Sequence, residues 1–190
     1  MVLPIVRYGN AILRAKGSPI EKITPQIERL IADMLETMHA VRGVGLAAPQ
    51  VGHALQLTVV DVTGVTDRPS TLFVEGKPAE IEAFMPLVLI NPHIKPVGEL
   101  VKGPEGCLSF PEIYADIMRP EAAEVKAQNA KGEAISFRCG GLLSRAVQHE
   151  IDHLNGILFI DRMEMETRRE LKAELEALQA ETKAARQQQR

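Results

Sequence analysis

Apolar residues recur at helical spacing near the start of the chain, between residues 24 and 41. Thr24 and Pro25 suit the N-cap and the first helical position, and two glycines, Gly43 and Gly45, follow the last turn. The apolar stripe consists of Ile27, Leu30, Ile31, Met34, Leu35, Met38 and Val41. This pattern predicts an amphipathic helix that packs one face on the core.

Runs rich in β-forming residues occupy the middle of the chain. The clearest are residues 55–62 and 86–91, and Pro92 is expected to end the second. Shorter strand candidates lie at residues 95–101, 121–128 and 133–138. The segment 63–85 is polar and punctuated by Gly and Pro, which favours a long loop or an insertion.

Two further helices are predicted after the strands. The first covers residues 142–155 and ends before Gly156. The tail from residue 163 contains neither Pro nor Gly, so it is expected to be helical to at least residue 183, with fraying over residues 184–190. Strands in the middle with helices at both ends predict an α+β domain with antiparallel pairing.

Composition and charge narrow the class of protein. The 190 residues are 45% hydrophobic and 25% charged, which is typical of one globular domain. A net charge of −3 gives no general attraction to nucleic acid, and no apolar run is long enough for a membrane span. Two cysteines are too few for a disulfide framework, and the N-terminus lacks a secretory pattern. We therefore expect a reduced, cytoplasmic setting.

The segment Q-H-E-I-D-H, residues 148–153, carries the strongest chemical signal. On a helix, His149 and His153 project about 40° apart, so both imidazoles can bind one metal ion while Glu150 reaches a water on that ion. The helix has a polar face, and the two histidines lie at the border of that face. At this position the histidines are expected to face the floor of a cleft. That polar face consists of Arg145, Gln148, Asp152 and Asn155.

A catalytic zinc or iron site usually has a third protein ligand and an open position. The residues alone leave that ligand open. The candidates are Cys107 in E-G-C-L-S, the downstream acids Asp161 and Glu164, and the histidines His39, His53 and His93.

A glycine-rich segment, G-V-G-L-A-A-P-Q, covers residues 43–50. Its glycines expose backbone N–H and C=O groups that suit an extended peptide or an anion, and Gln50 offers an amide donor for a carbonyl oxygen. The spacing of a phosphate-binding loop is absent.

Together, G-V-G-L-A-A-P-Q, E-G-C-L-S and Q-H-E-I-D-H resemble, in order and separation, the three motifs of the peptide deformylases. The resemblance runs from about residue 3 to residue 161, and the Glu- and Lys-rich tail resembles the C-terminal helix of the bacterial type. It implies a catalytic domain of residues 1–165, in which antiparallel β-sheets and an N-terminal helix pack around a central metal-binding His-Glu-x-x-His helix. Residues 166–190 are then a C-terminal helical extension of the same domain.

The resemblance implies a role for each motif residue. It implies one divalent metal ion per chain, natively Fe2+, with Zn2+, Ni2+ or Co2+ also accepted, and Glu150 as general base and acid. The implied metal ligands are Cys107, His149 and His153. The implied donors to the formyl oxygen are Gln50 and the backbone N–H of Leu108.

The same resemblance implies how the substrate and the site are held. The implied substrate-binding residues are Gly43, Val44 and Gly45 for the peptide backbone, and Leu142 and Ala146 for the methionine side chain. Glu105 and Arg119 match an ion pair that braces the cysteine loop.

The implied activity is the removal of the N-formyl group from the N-terminal formyl-methionine of nascent polypeptides, with release of formate. The expected partners are N-formyl-methionyl peptides and, through the C-terminal helix, the ribosome, without membrane or sequence-specific nucleic-acid binding. One alternative is a zinc endopeptidase, in which a Glu or His downstream of the His-Glu-x-x-His motif is the third metal ligand and Cys107 is not needed. The other is a non-catalytic metal-stabilised binding protein whose site Cys139 closes as a fourth ligand.

Overall fold

A computed structural model describes residues 1–188. The helices are α1 (Pro25–Ala40), α2 (Ile81–Phe84), α3 (Gly141–Leu154), α4 (Met165–Glu170) and α5 (Lys172–Gln188). The strands are β1 (Gly45–Ala47), β2 (Leu57–Val60), β3 (Ser70–Val74), β4 (Lys77–Pro78), β5 (Leu87–Cys107), β6 (Phe110–Gln128) and β7 (Ala134–Gly140). No helix of the described residues has the length and apolar character that a bilayer span needs.

The strands within residues 1–188 form one sheet in the order β1-β2-β5-β6-β7-β3-β4, with antiparallel pairing throughout. The predicted α+β class is therefore confirmed. Strands β5 and β6, of 21 and 19 residues, form a long ribbon whose register shifts at three places. The last shift lies between Gly106 and Cys107, and such irregularities re-aim side chains next to functional sites.

Two expectations about the strands are wrong. Segment 63–85 is not a plain loop, because β3, β4 and α2 lie within it. Leu72 of β3 is 3% exposed and pairs with Cys139 of β7, so long-range pairing orders a segment with weak local signals. Strand β5 also continues through Pro92, because a register shift between Ile90 and His93 accommodates the proline where the ladder is interrupted.

Helix α1 forms as predicted, one residue from the expected start and end. The side chain of Thr24 accepts a hydrogen bond from the N–H of Ile27, which caps the helix. The inner face buries Leu30, Ile31, Met34 and Met38 against apolar residues of β1 and β2. This packing fixes the chain just before the glycine-rich segment.

Helix α3 lies against the inner face of the sheet and is buried over most of its length, in good agreement with the predicted bounds. Most of its polar face is buried as well, although Asn155 is exposed. Gln148 donates to the carbonyl of Pro120 at 2.8 Å, and Asp152 accepts from Arg119 at 2.8 Å. Gln148 and Asp152 thus bond to strand β6 and do not border solvent.

The C-terminal tail is helical as predicted, with a break at Leu171 between α4 and α5. Leu175 and Leu178 of α5 are buried against Phe110 and Phe159. Residues 184–188 of the segment expected to fray are helical, and residues 189–190 lie outside the described part of the chain.

Candidate metal centre

Strand β5 and helix α3 bring three metal-binding side chains together. Cys107 is the last residue of β5, and His149 and His153 lie one turn apart on α3. One donor atom from each lies within 4.8 Å of the others, and Cys107 Sγ is 3.3 Å from His153 Nε2. A thiolate with two imidazoles suits a divalent zinc or iron ion and leaves an open position.

A carboxylate behind His149 supports this interpretation. Nδ1 of His149 lies 2.9 Å from Oε2 of Glu105, which leaves Nε2 directed away from the carboxylate. Metal-ligating histidines commonly donate their second ring N–H in this way, which fixes the tautomer and the ring orientation. The donor set therefore fits one divalent ion.

The other candidate ligands lie elsewhere in the described structure. Asp161 pairs with Arg14, and Glu164 lies 3.9 Å from Lys102. The three other histidines are exposed: His39, His53 and His93. Of the candidates, only Cys107 joins the pair on α3.

Cys139 is not part of this group. Its Sγ lies 3.7 Å from the carbonyl oxygen of Ala123, in the apolar core. Burial raises the pKa of its thiol to about 12, which keeps it protonated and inert. The alternative of a binding protein in which Cys139 closes the metal site as a fourth ligand is therefore wrong.

Glu150 lies next to His149 and is only 5% exposed. Its Oε2 has no hydrogen-bond partner within residues 1–188, and burial raises the pKa of the carboxyl to about 7. A Cβ on Gly45 would lie 2.5 Å from Oε1 of Glu150, so the carboxylate fits there only because residue 45 is glycine. A carboxyl with a pKa near neutrality is suited to accept and return a proton.

Gln50 presents its amide group to the same place. Its Oε1 accepts the N–H of Ala47 at 2.9 Å, which fixes the orientation of the side chain. Its Nε2 then lies 3.5 Å from Cys107 Sγ and 3.4 Å from Ser109 Oγ. The amide hydrogens therefore point toward Cys107 and Ser109, the two residues that flank Leu108 in the chain.

The glycine-rich segment forms a border of the sheet. Strand β1 is terminal in the strand order and pairs with β2. A terminal strand presents backbone groups that an extended peptide can pair with. Val44 packs against the large apolar group to which Leu142 and Ala146 also belong.

A buried ion-pair network surrounds the centre. Arg119, 2% exposed, binds Glu105 at 2.5 and 3.0 Å, which is the ion pair that the resemblance implies. Burial alone would raise the pKa of Glu105, but hydrogen bonds from His149 and Arg119 hold that pKa well below its usual range. Arg162 donates to Asp152 at 2.6 Å. No motif marks Arg162, and the one available signal for this network is the polar face of α3.

The fold and the donor set define an α+β protein with a candidate mononuclear Cys-His-His centre. The model of the polypeptide deformylase family matches residues 2–169. A peptide deformylase of Methylacidiphilum infernorum is 47% identical over 94% of this chain and 93% of its own.

Solved structures give the same result. A peptide deformylase from Synechococcus elongatus in complex with actinonin is 38% identical, with a TM-score of 0.76 over 90% of this chain and 85% of its own. The peptide deformylase from Thermus thermophilus is 38% identical, with a TM-score of 0.79 over 95% of this chain and 99% of its own. The chain belongs to the polypeptide deformylase family and is an enzyme of that family.

Proposed function

We propose that this enzyme removes the N-formyl group from the N-terminal formyl-methionine of nascent polypeptides and releases formate. The observation that carries the proposal is the position of Glu150. In this chain of the deformylase family, the buried carboxyl of Glu150 has a pKa near 7 and lies beside the three side chains that can hold a metal ion.

In this proposal α3 is the central metal-binding helix, and Cys107, His149 and His153 hold one divalent ion. Fe2+ is the native ion that we infer, with Zn2+, Ni2+ or Co2+ able to take its place because all accept this donor set. When bound, the ion supplies a Lewis acid and lowers the pKa of a coordinated water toward neutrality.

Three groups of the chain then act on the substrate. Glu150 accepts the proton of the attacking water and returns it to the departing amine nitrogen of methionine. The Gln50 amide and the N–H of Leu108 donate hydrogen bonds to the formyl oxygen, where negative charge develops in the transition state. The orientation of Gln50 by the Ala47 N–H supports its part in this scheme.

Substrate binding uses the border strand and the apolar group beside it. Gly43, Val44 and Gly45 pair with the peptide backbone, as the terminal position of β1 allows. Leu142 and Ala146 contact the methionine side chain, an assignment supported by their place in the apolar group against which Val44 packs.

The substrate places the enzyme where chains are synthesised, so we infer a cytoplasmic location. Residues 1–165 form the catalytic domain in this proposal, and residues 166–190 extend it as the segment that contacts the ribosome. Exposed basic side chains support such a contact with acidic surfaces. They are Lys183 and two that also lie 3.8 Å from a glutamate, Arg169 beside Glu166 and Lys172 beside Glu176.

Charge reversal at these three exposed positions of α4 and α5 tests the ribosome contact without removing a buried side chain. R169E/K172E/K183E is expected to weaken co-sedimentation with ribosomes while turnover of a short formylated peptide is unchanged. Co-sedimentation equal to that of the unaltered enzyme would exclude this contact.

Product analysis separates deformylation from the endopeptidase alternative. Mass spectrometry of formyl-Met-Ala-Ser and of a long unformylated peptide is expected to show loss of the formyl group from the first and no cleavage of the second. Internal cleavage of the long peptide without loss of formyl would overturn the proposal.

A further inference from the structure

Arg145 links the helix that carries two metal-binding histidines to the ribbon that carries the cysteine. It lies on α3 one turn before His149, and its side chain is only 11% exposed. Its Nη1 donates to the carbonyl oxygen of Ile117 at 2.9 Å, and its Nη2 donates to that of Val101 at 2.8 Å. One guanidinium group therefore bonds the backbones of both β5 and β6.

The same guanidinium also holds Glu105. Nη1 of Arg145 donates to Oε1 of Glu105 at 2.9 Å, and Arg119 binds both oxygens of that carboxylate. Oε2 of Glu105 in turn lies 2.9 Å from Nδ1 of His149. The carboxylate that orients His149 is thus fixed by two arginines, one of them on the same helix as the histidine.

The missing side chain of Gly103 leaves space for the guanidinium group of Arg145. A Cβ on that residue would lie 2.9 Å from Nη2 of Arg145, where the guanidinium now passes close to the ribbon. Arginine suits the position because its planar fork binds a carboxylate and carbonyl oxygens at the same time, whereas a lysine ammonium is a single point of charge.

We propose that Arg145 is a positioning residue of the metal centre. It acts through Glu105 to fix the ring of His149, and it holds the β5–β6 ribbon so that Cys107 stays opposite α3. The inference rests on the metal centre of the proposed function, but it does not depend on which amide is hydrolysed.

The test measures metal binding in the absence of substrate. Co2+ affinity is determined by competition with a chromophoric chelator, and the thiolate-to-cobalt absorption band reports the ligand geometry. Arg145→Met is expected to weaken Co2+ binding by about tenfold and to shift the absorption band, as loss of an outer-shell partner does. Arg145→Lys, which retains the charge beside Glu105, is expected to lie between Arg145→Met and the unaltered enzyme.

Arg14→Met is the matched control, because Arg14 also binds a carboxylate, that of Asp161, and a backbone carbonyl, that of Gly156. It contacts neither Glu105 nor the ribbon strands, and only its charge reaches His153, so its Co2+ affinity and spectrum are expected to change much less than those of Arg145→Met even where thermal stability falls. An equal loss of affinity in Arg14→Met and Arg145→Met would assign the effect to general destabilisation and overturn the proposal.

A double-mutant cycle tests the route through Glu105. In a Glu105→Gln background, Arg145→Met is expected to lower Co2+ affinity by a smaller factor than in the unaltered enzyme, because the support that acts through Glu105 is already lost and only the bonds to the ribbon backbone remain to be removed. Fully additive losses, or an unchanged affinity and spectrum in both Arg145 variants, would contradict the proposal. If the unaltered enzyme binds Co2+ as expected but releases no formate, the proposed function fails and the role of Arg145 stands.

Discussion

At the scale of single residues, the positions of two side chains depend on contacts with the glycine-rich segment. Glu150 is buried beside Gly45, and only the missing Cβ leaves space for its carboxylate. Gln50 is aimed by the N–H of Ala47. The contact at Glu150 explains why residue 45 is glycine, whereas the bond to Gln50 uses only the backbone of residue 47.

Gly45→Ala is expected to lower kcat by about a hundredfold, since a displacement of about 1 Å at a reacting group has that effect. The new Cβ would lie 2.5 Å from Glu150 Oε1, and the carboxylate must move. The loss of kcat is measured by steady-state turnover, and the metal content is determined on the same sample. Gly43→Ala is the comparison, because its Cβ meets the flexible Leu108 side chain at 3.1 Å and the effect should be smaller. Equal rates for all three proteins would contradict the assignment.

Cys107→Ala is expected to lose the metal, because the thiolate is one of three donors in the group. Cys139→Ala is the matched control, since its thiol lies in the core and binds the carbonyl of Ala123. Metal per chain after dialysis, by atomic emission, distinguishes the two. Loss of metal from Cys139→Ala as well, in folded protein, would show that the second thiol contributes.

At the scale of elements, local signals predicted the helices well. Thr24, Pro25 and the apolar stripe suffice for α1, and Gly156 with the two faces of segment 142–155 suffices for α3, because caps and periodicity act within a few residues. The pair His149 and His153 followed from their spacing on that helix, whereas the residues alone left the third ligand open and the family resemblance selected Cys107.

The β5–β6 ribbon and strand β3 depend on pairing between segments that are distant in the chain, and local sequence patterns do not encode such pairing. Strand β5 passes through Pro92, and β3 is ordered by β7, so neither could be read from its own residues. The contacts of Arg145 were hidden for the same reason, because they exist only where the ribbon crosses α3.

Leu72→Ala is expected to destabilise the protein by about 2–4 kcal/mol, the usual result of truncating a buried leucine. Leu72 is 3% exposed and lies in the core, so β3 is an integral strand. Denaturant unfolding of metal-loaded protein measures the change. Phe73→Ala, at a position that is 36% exposed, is expected to cost less. A smaller loss for Leu72→Ala than for Phe73→Ala would show that β3 does not belong to the core.

At the scale of the whole molecule, the C-terminal helix packs in the apolar group that borders the candidate ligand Cys107. The family match ends at residue 169, but α5 buries Leu175 and Leu178 in the same apolar group as Phe110. Phe110 starts β6 three residues after Cys107. The tail therefore helps to hold the turn that carries the cysteine.

Leu178→Ala is expected to lower stability by about 2–4 kcal/mol, because its side chain is 8% exposed and packs in this group. Glu181→Ala, at an exposed position on the same helix, is the control and is expected to change little. Urea midpoints of the two variants measure the difference. Equal midpoints would show that α5 contributes nothing to the core.

The central claim is that Glu150 moves the proton in a metal-dependent deformylation. The most direct measurement is formate release from formyl-Met-Ala-Ser by protein purified without oxygen, with metal content determined on the same samples, for the unaltered enzyme and for Glu150→Gln. We predict rapid formate release with about one metal per chain in the unaltered enzyme. Glu150→Gln should keep the metal and lose at least about a hundredfold in turnover. Bound metal without formate release from the unaltered enzyme, or a fully active Glu150→Gln, would contradict the account.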